Sequence, residues 1–159
     1  MLEIRLASRD DLPAFARIYA AAKAFMRAAG NPRQWTTLYP DPETLTKDIA
    51  AGQLYAVTDN GDVHGVFALI PGDDPNYAQI DGAWPNALPY ATIHRMASAG
   101  RVHGAAAICF AWCAARGLPL RADTHADNKV MQHLLEKNGF VRCGNITLAD
   151  GTSRIAYHC

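Results

Sequence analysis

The stretch from Met96 to Ala106, Met-Ala-Ser-Ala-Gly-Arg-Val-His-Gly-Ala-Ala, combines residue types suited to holding a phosphate. It joins the end of a strand-like run to the start of an alanine-rich helical run. The first turn of a helix presents unpaired N–H groups and the positive end of the helix dipole. Gly104, Ala105 and Ala106 would let a ligand approach the backbone closely, and Arg101 adds a fixed positive charge. That combination suits a pyrophosphate, although a plain strand–helix connection accounts for the same residues. Neither the Gly-Lys-Ser/Thr ending of a Walker loop nor the GxGxxG dinucleotide fingerprint is present.

Two histidines fall where strands end. His94 lies near the end of one expected strand, and His125 directly follows the next. Histidine suits a general base or a water relay, while a structural or substrate-positioning role explains the same placement. Unbroken alternation puts Tyr90, Thr92, His94 and Met96 on one face. Arg95 and Asp123 sit on neighbouring strands and are candidates for a buried ion pair. Trp35, Tyr39, Tyr77, Asp81 and Trp84 lie in two long irregular segments, and such loops often form binding walls. Of these, Trp35, Tyr77 and Trp84 are the candidates for substrate binding, with ordinary core packing as the other reading. No role is expected for His64 or His158.

Positioning these residues requires a mixed α/β architecture. Glu3–Leu6 reads as a strand. Ser8 caps a helix with Asp10 and Asp11 in its first turn, Leu12, Phe15, Tyr19, Ala22 and Met26 on its apolar stripe, and Gly30 at its end. Asp41-Pro42-Glu43 opens a second helix to about Ala51. Leu54–Thr58 and Val63–Ile70 are strands joined by an Asn-Gly hairpin turn. Pro71–Pro89 reads as irregular. Tyr90–Met96 is a strand, His103–Arg116 a helix and Leu120–Thr124 a strand. A helix from Asp127 or Asn128 to Lys137 closes at Gly139, and Phe140–Thr147 with Ser153–Tyr157 forms a last hairpin. The order is β-α-α-β-β-β-α-β-α-β-β, with helices on both faces. The unit from Tyr90 to Thr124 implies a parallel pair joined by a right-handed crossover.

Composition narrows the classes. At 159 residues the chain is expected to form a single domain over its whole length, 1–159. Lys+Arg and Asp+Glu each total 15, so there is no basic excess of the kind a nucleic-acid binder displays. The apolar run from Ala105 to Ala115 falls well short of the roughly twenty residues a membrane span needs. No membrane partner is expected, and with no signal-peptide pattern at the N-terminus the expected location is the cytoplasm. The 4 cysteines include no CxxC pair, and Cys109 and Cys113, one helical turn apart, read as reduced core residues rather than a metal site. No metal is expected.

Arg101-Val102-His103-Gly104-Ala105-Ala106 resembles the Arg/Gln-x-x-Gly-x-Gly/Ala loop of the GNAT superfamily of N-acetyltransferases. The resemblance extends to Asn128 at the next helix start and to Glu136-Lys137-Asn138-Gly139-Phe140 at its end, and the element order matches the whole fold. It implies acetyl-CoA as cosubstrate, held through its pyrophosphate by the backbone of Val102, His103, Gly104, Ala105 and Ala106, with Arg101 opening that loop. Met96 and Ser98 would pair with the pantetheine arm like an added strand, and Asn128 would hydrogen-bond it. The strands Tyr90–Met96 and Leu120–Thr124 would splay around the thioester. Lys129 and His133 would be near the adenine or the 3′-phosphate unless they simply face solvent. A homodimer through the last strands is a further expectation of the resemblance.

The implied activity is acetyl transfer to a primary amine of a small molecule or protein. That reaction needs an amine freed of its proton and a stabilised oxyanion, and a group able to protonate the departing thiolate can assist it. His94 and His125 are the candidate bases. The family's tyrosine before Glu-Lys-x-Gly-Phe is Leu135 in this chain, so that acid is absent. The departure favours a second reading, an acyl-CoA-binding module without catalysis. A transferase of longer acyl chains is a third.

Overall fold

The computed structural model describes residues 1–36, 38–100 and 104–159. Its strands are β1 (Leu2–Leu6), β2 (Leu54–Asp59), β3 (Asp62–Pro71), β4 (Asp81–Gly82), β5 (Ala91–Ser98), β6 (Leu120–Thr124), β7 (Val141–Thr147) and β8 (Ser153–His158). Its helices are α1 (Leu12–Ala28), α2 (Pro42–Ala50), α3 (Ala105–Ala114) and α4 (Lys129–Lys137). All eight strands form one sheet in the order β1-β2-β3-β5-β6-β8-β7-β4. The expected order is found with one added strand. The segment read as irregular carries a short 3₁₀ turn at Pro75–Tyr77 and the two-residue strand β4, which pairs with β7.

Local chemistry sets most element ends. Asp41 accepts from the Thr44 N–H at 2.8 Å and Pro42 follows it, so α2 starts there. Asn128 accepts from the Met131 N–H at 3.0 Å and opens α4. Asn60 and Gly61 both have positive φ, as the tight β2–β3 turn requires. The first helix departs slightly from expectation: a 3₁₀ turn at Arg9–Asp11 precedes α1, with the Asp11 carboxylate accepting from the Ser8 N–H.

The core has two main layers, one on each face of the sheet. Cys109, Phe110 and Cys113 of α3 and Leu135 of α4 pack on Phe67, Leu69, Ile93, Ala122, Ile155 and Tyr157. On the opposite face Phe15, Ile18 and Tyr19 of α1 and Leu45 of α2 pack on Leu54, Ala56, Val66 and Ala68. Each Leu, Ile, Val or Phe among them contributes roughly 1.5–3 kcal/mol by leaving water. The four cysteines are free, and burial pushes the Cys109 and Cys113 thiols up to about 12, which suits inert core residues.

Two irregularities in β5 shape the centre of the molecule. First, β5 and β6 run parallel and pair only at Ala91–Leu120 and Thr92–Arg121, so they part from Ile93 onward. Second, β3 pairs Val66 with Ala97 but Ala68 with His94, which leaves Phe67 opposite both Arg95 and Met96. This is a β-bulge, and Arg95 adopts a φ of 54° within it. A left-handed arginine costs about 1–3 kcal/mol unless its surroundings hold it. Here the Asp48 carboxylate accepts from Arg95 Nε and Nη2 at 2.8 and 2.9 Å, Tyr39 accepts from Nη1, and the Tyr19 hydroxyl donates to the Arg95 carbonyl at 2.7 Å. The bulge also corrects the alternation. His94 and Thr92 face α1 and α2, whereas Met96 is turned to the α3 and α4 side and packs with that core. The expected Arg95–Asp123 pair does not form, because Arg95 is taken by Asp48 and Asp123 by Tyr77.

Candidate active site

A cavity of about 770 Å³ opens where β5 and β6 part. It reaches both faces of the sheet. On the α3 and α4 side its wall is apolar: Ile93, Met96, Phe110, Ala122, Met131 and Leu135. On the other side it is polar, with Asp73, Asp74, Thr92, His94, Asp123 and Arg154. Trp35 and Tyr39 from the segment between α1 and α2 close one flank, and Leu148, Ala149 and Asp150 from the β7–β8 turn close another.

The polar side is a connected network. His94 Nε2 lies 2.8 Å from Asp74 Oδ2, and the Asp74 N–H donates to the Tyr90 hydroxyl at 2.8 Å. Burial pushes the Asp74 carboxyl up, but the His94 and Asn76 hydrogen bonds and the nearby positive groups outweigh it, leaving the acid below its ordinary value. An ionised Asp74 accepts a hydrogen bond from Nε2–H, which leaves Nδ1 as the ring nitrogen turned away from the acid. Beside this pair the Tyr77 hydroxyl donates to Asp123 Oδ2 at 2.6 Å. Burial, reinforced by the Asp123 charge, holds the Tyr77 phenol well above its usual value, so it stays protonated. Trp84 Nε1 donates to the Tyr77 carbonyl, and Arg121 stacks between the Trp84 and Tyr90 rings at 4.0 and 3.9 Å.

The expected site residues take different places. His94 is in the cavity wall. His125 is not among the lining residues; its Nδ1 accepts from the Asp127 N–H at 3.0 Å in the turn before α4. Trp35 lines the cavity and packs edge-on against Tyr19 and Tyr39, whereas Tyr77 is 2% exposed and Trp84 packs on it behind the wall. Asn128 lines the cavity and donates through Nδ2 to Gln34 at 2.9 Å. Met96 lines it as well, and Ser98 is exposed at the end of β5. Beyond Thr92 the β6-facing edge of β5 has no strand partner among the described residues. Gly104 stands at the start of α3 with φ 79° and nothing within 4 Å of where a Cβ would be, while Ala105 is buried. Arg101, Val102 and His103 lie outside the described residues. Lys129 and His133 are exposed on α4. Among the described residues no cluster of three or more His, Cys, Asp or Glu could hold a metal ion, and no helix is long and apolar enough to cross a membrane.

Sequence reasoning missed Gln34. Its Oε1 is approached by four donors: Asn31 Nδ2, the Thr124 hydroxyl, the His125 N–H and Asn128 Nδ2, at 2.9–3.3 Å. The residue ties the segment after α1 to the end of β6 and the start of α4. No local signal marks it, because its partners are up to 94 positions away.

No family model and no curated protein matches the chain in sequence. Solved structures do match. A GNAT-family acetyltransferase from Streptococcus agalactiae 2603 superimposes with a TM-score of 0.86 at 30% identity, covering 99% of this chain and 94% of the other. A Staphylococcus aureus Mu50 chain assigned as an acetyltransferase gives 0.73 at 28%, covering 98% and 97%. A GNAT-family acetyltransferase from Listeria monocytogenes 4b F2365 gives 0.73 at 14%, covering 99% and 94%, a likeness of fold alone.

Proposed function

Because the chain belongs to the GNAT family of acetyltransferases, we propose that it moves an acetyl group from acetyl-CoA to a primary amine of a small molecule or protein, both substrates being bound together. The observation that carries this is the cavity running through the parted strands, apolar on one face and acid-lined on the other. An acyl donor and an amine acceptor can then meet from opposite sides of the sheet without a covalent enzyme intermediate.

The residues present fit the donor. Acetyl-CoA, when bound, supplies an acyl group activated as a thioester. The open backbone at Gly104 and the N–H groups of Ala105 and Ala106 suit its pyrophosphate, and the family resemblance gives Arg101, Val102 and His103 the same role. The unpartnered edge of β5 at Met96 and Ser98 offers main-chain hydrogen bonds to an extended arm. Asn128 keeps one amide hydrogen for the same arm, since one is given to Gln34.

On the acceptor side the acids Asp73, Asp74 and Asp123 favour a cationic amine. His94 Nδ1 then takes the amine proton, directly or through water, while Asp74 holds the ring and steadies the imidazolium that results. His125, turned to the Asp127 N–H, shapes the approach to α4 in this reading. Leu135, 1% exposed, offers no proton where the family pattern has tyrosine, so protonation of the departing sulfur falls to water. That same leucine favours the second reading, a binding module that holds acyl-CoA without transfer.

One experiment separates the two. The purified chain is given acetyl-CoA and a broad amine panel, and free thiol is followed together with the melting temperature. Transfer predicts a raised melting temperature and thiol release with at least one amine. Gly104→Glu should lose the donor-induced rise while staying folded, because a carboxylate would meet the pyrophosphate. A raised melting temperature with no thiol from any amine would establish the binding module instead.

A further inference from the structure

Arg154 is a charged side chain the transfer chemistry does not use. It lines the cavity and is 6% exposed. Arginine does not give up its proton in a protein, and a buried charge is costly unless it is paired. Yet no carboxylate lies within ion-pair distance of Arg154 among the described residues. Its contacts are neutral: Nη1 donates to the Thr152 hydroxyl at 3.2 Å and the Ser153 carbonyl at 2.9 Å, and Nη2 donates to the Gln34 carbonyl at 3.1 Å. Asp150 reaches it only through Thr152, whose N–H and hydroxyl occupy the same Asp150 oxygen. The Nε–H and one Nη2–H remain without a hydrogen-bond partner among the described residues. The contrast with Arg95, less enclosed yet bidentate to Asp48, is direct.

The position fits a ligand contact. Ala156 is the Cα partner of Asp123, and Arg154 stands two residues along β8, on the same face. At about 3.3 Å per residue and about 4.8 Å between strands, the Arg154 and Asp123 Cα atoms are roughly 8 Å apart. A cation-seeking acid and an anion-seeking guanidinium thus flank one small space, beside His94.

We infer that the acceptor is a small amino acid, its amine facing the His94 and Asp123 end of the polar wall and its carboxylate held by Arg154. A planar guanidinium with two free N–H groups matches a carboxylate better than it matches a neutral group. The inference rests on the transfer reading above and narrows its acceptor class.

The test pairs each amino acid of a panel with its decarboxylated amine and its carboxamide, using the full chain and acetyl-CoA. The expected result is a kcat/KM at least about 30-fold higher for the amino acid of the best pair, the size of a hydrogen-bonded charge contact. Arg154→Gln should bring that ratio to within about threefold, and Arg154→Lys should keep part of it. The ratio in the unaltered chain is itself decisive, so a variant that fails to fold does not blunt the test. Equal turnover of acid and amine, or a preference for the amine or amide, overturns this inference and leaves the transfer reading intact. A ratio unchanged in Arg154→Gln does the same. Absence of turnover with every member, while acetyl-CoA still raises the melting temperature, overturns the transfer reading and this inference with it.

Discussion

The two sides of the gap between β5 and β6 are built on opposite plans. Toward α3 and α4, the wall is made of aliphatic and aromatic side chains that also belong to the core, such as Ile93, Phe110 and Leu135. Toward α1 and α2, several functional groups are tied in pairs: His94 to Asp74, Tyr77 to Asp123, and Arg95 to Asp48 and Tyr39. Dispersion contacts are interchangeable, so the apolar side should accept changes of side chain that keep volume. Hydrogen-bonded charges are not, since removing one partner leaves the other stranded. In the proposed transfer, the first side would take a donor arm of fixed chemistry and the second would select the acceptor.

The largest test of this contrast is catalytic. His94→Ala should lower turnover by roughly 10²–10⁴-fold across pH 6–9, the usual size of general-base assistance, whereas His125→Ala should remain within about tenfold of the unaltered chain. Steady-state thiol release measures both. Equal losses would place the base elsewhere.

Next in size is a stability comparison across the sheet. Asp48→Ala strands the largely enclosed Arg95 guanidinium at its left-handed bulge and should cost about 3 kcal/mol. Leu135→Met, equally buried on the other side, should cost less than about 1.5 kcal/mol. Urea unfolding of the two variants would show whether the sides differ as described; similar losses would contradict it.

The smallest effect is a pH signature. The Asp74 carboxyl is held below its ordinary value in the folded chain. Its contribution to stability is therefore present above the unfolded aspartate pKa of about 3.9 and fades as pH falls through the lower folded value. Asp74→Asn should lower the melting temperature by a few degrees at pH 6–7, with the gap narrowing toward pH 3. A gap that widened on acidification would mean the carboxyl is not stabilised in its charged form.

What the sequence revealed follows the range of the interactions involved. Asp41, Asn128, Gly139 and the Asn60-Gly61 turn act within a few residues, so their helix and hairpin ends were legible. The order of elements was legible for the same reason. The bulge at Arg95 was not, because alternation assumes one residue against one, and the extra residue is set by Asp48, Tyr39 and Tyr19 from distant segments. That one residue turned Met96 to the opposite face. The place of His94 near a strand end was legible, but its partner Asp74 sits in a stretch read as irregular. Gln34 and Arg154 carry no motif, and only the folded chain brings them to one wall.

The knot around Gln34 has a consequence for acidity. Its acceptor is an amide oxygen, and its donors are two side-chain amides, a hydroxyl and a backbone N–H. None of these amide, hydroxyl or N–H groups gains or loses a proton between pH 4 and 9, and Arg154 donates to the Gln34 carbonyl. The fastening of this flank is thus deaf to proton concentration. A change of pH that alters this protein's behaviour therefore acts on groups outside this knot.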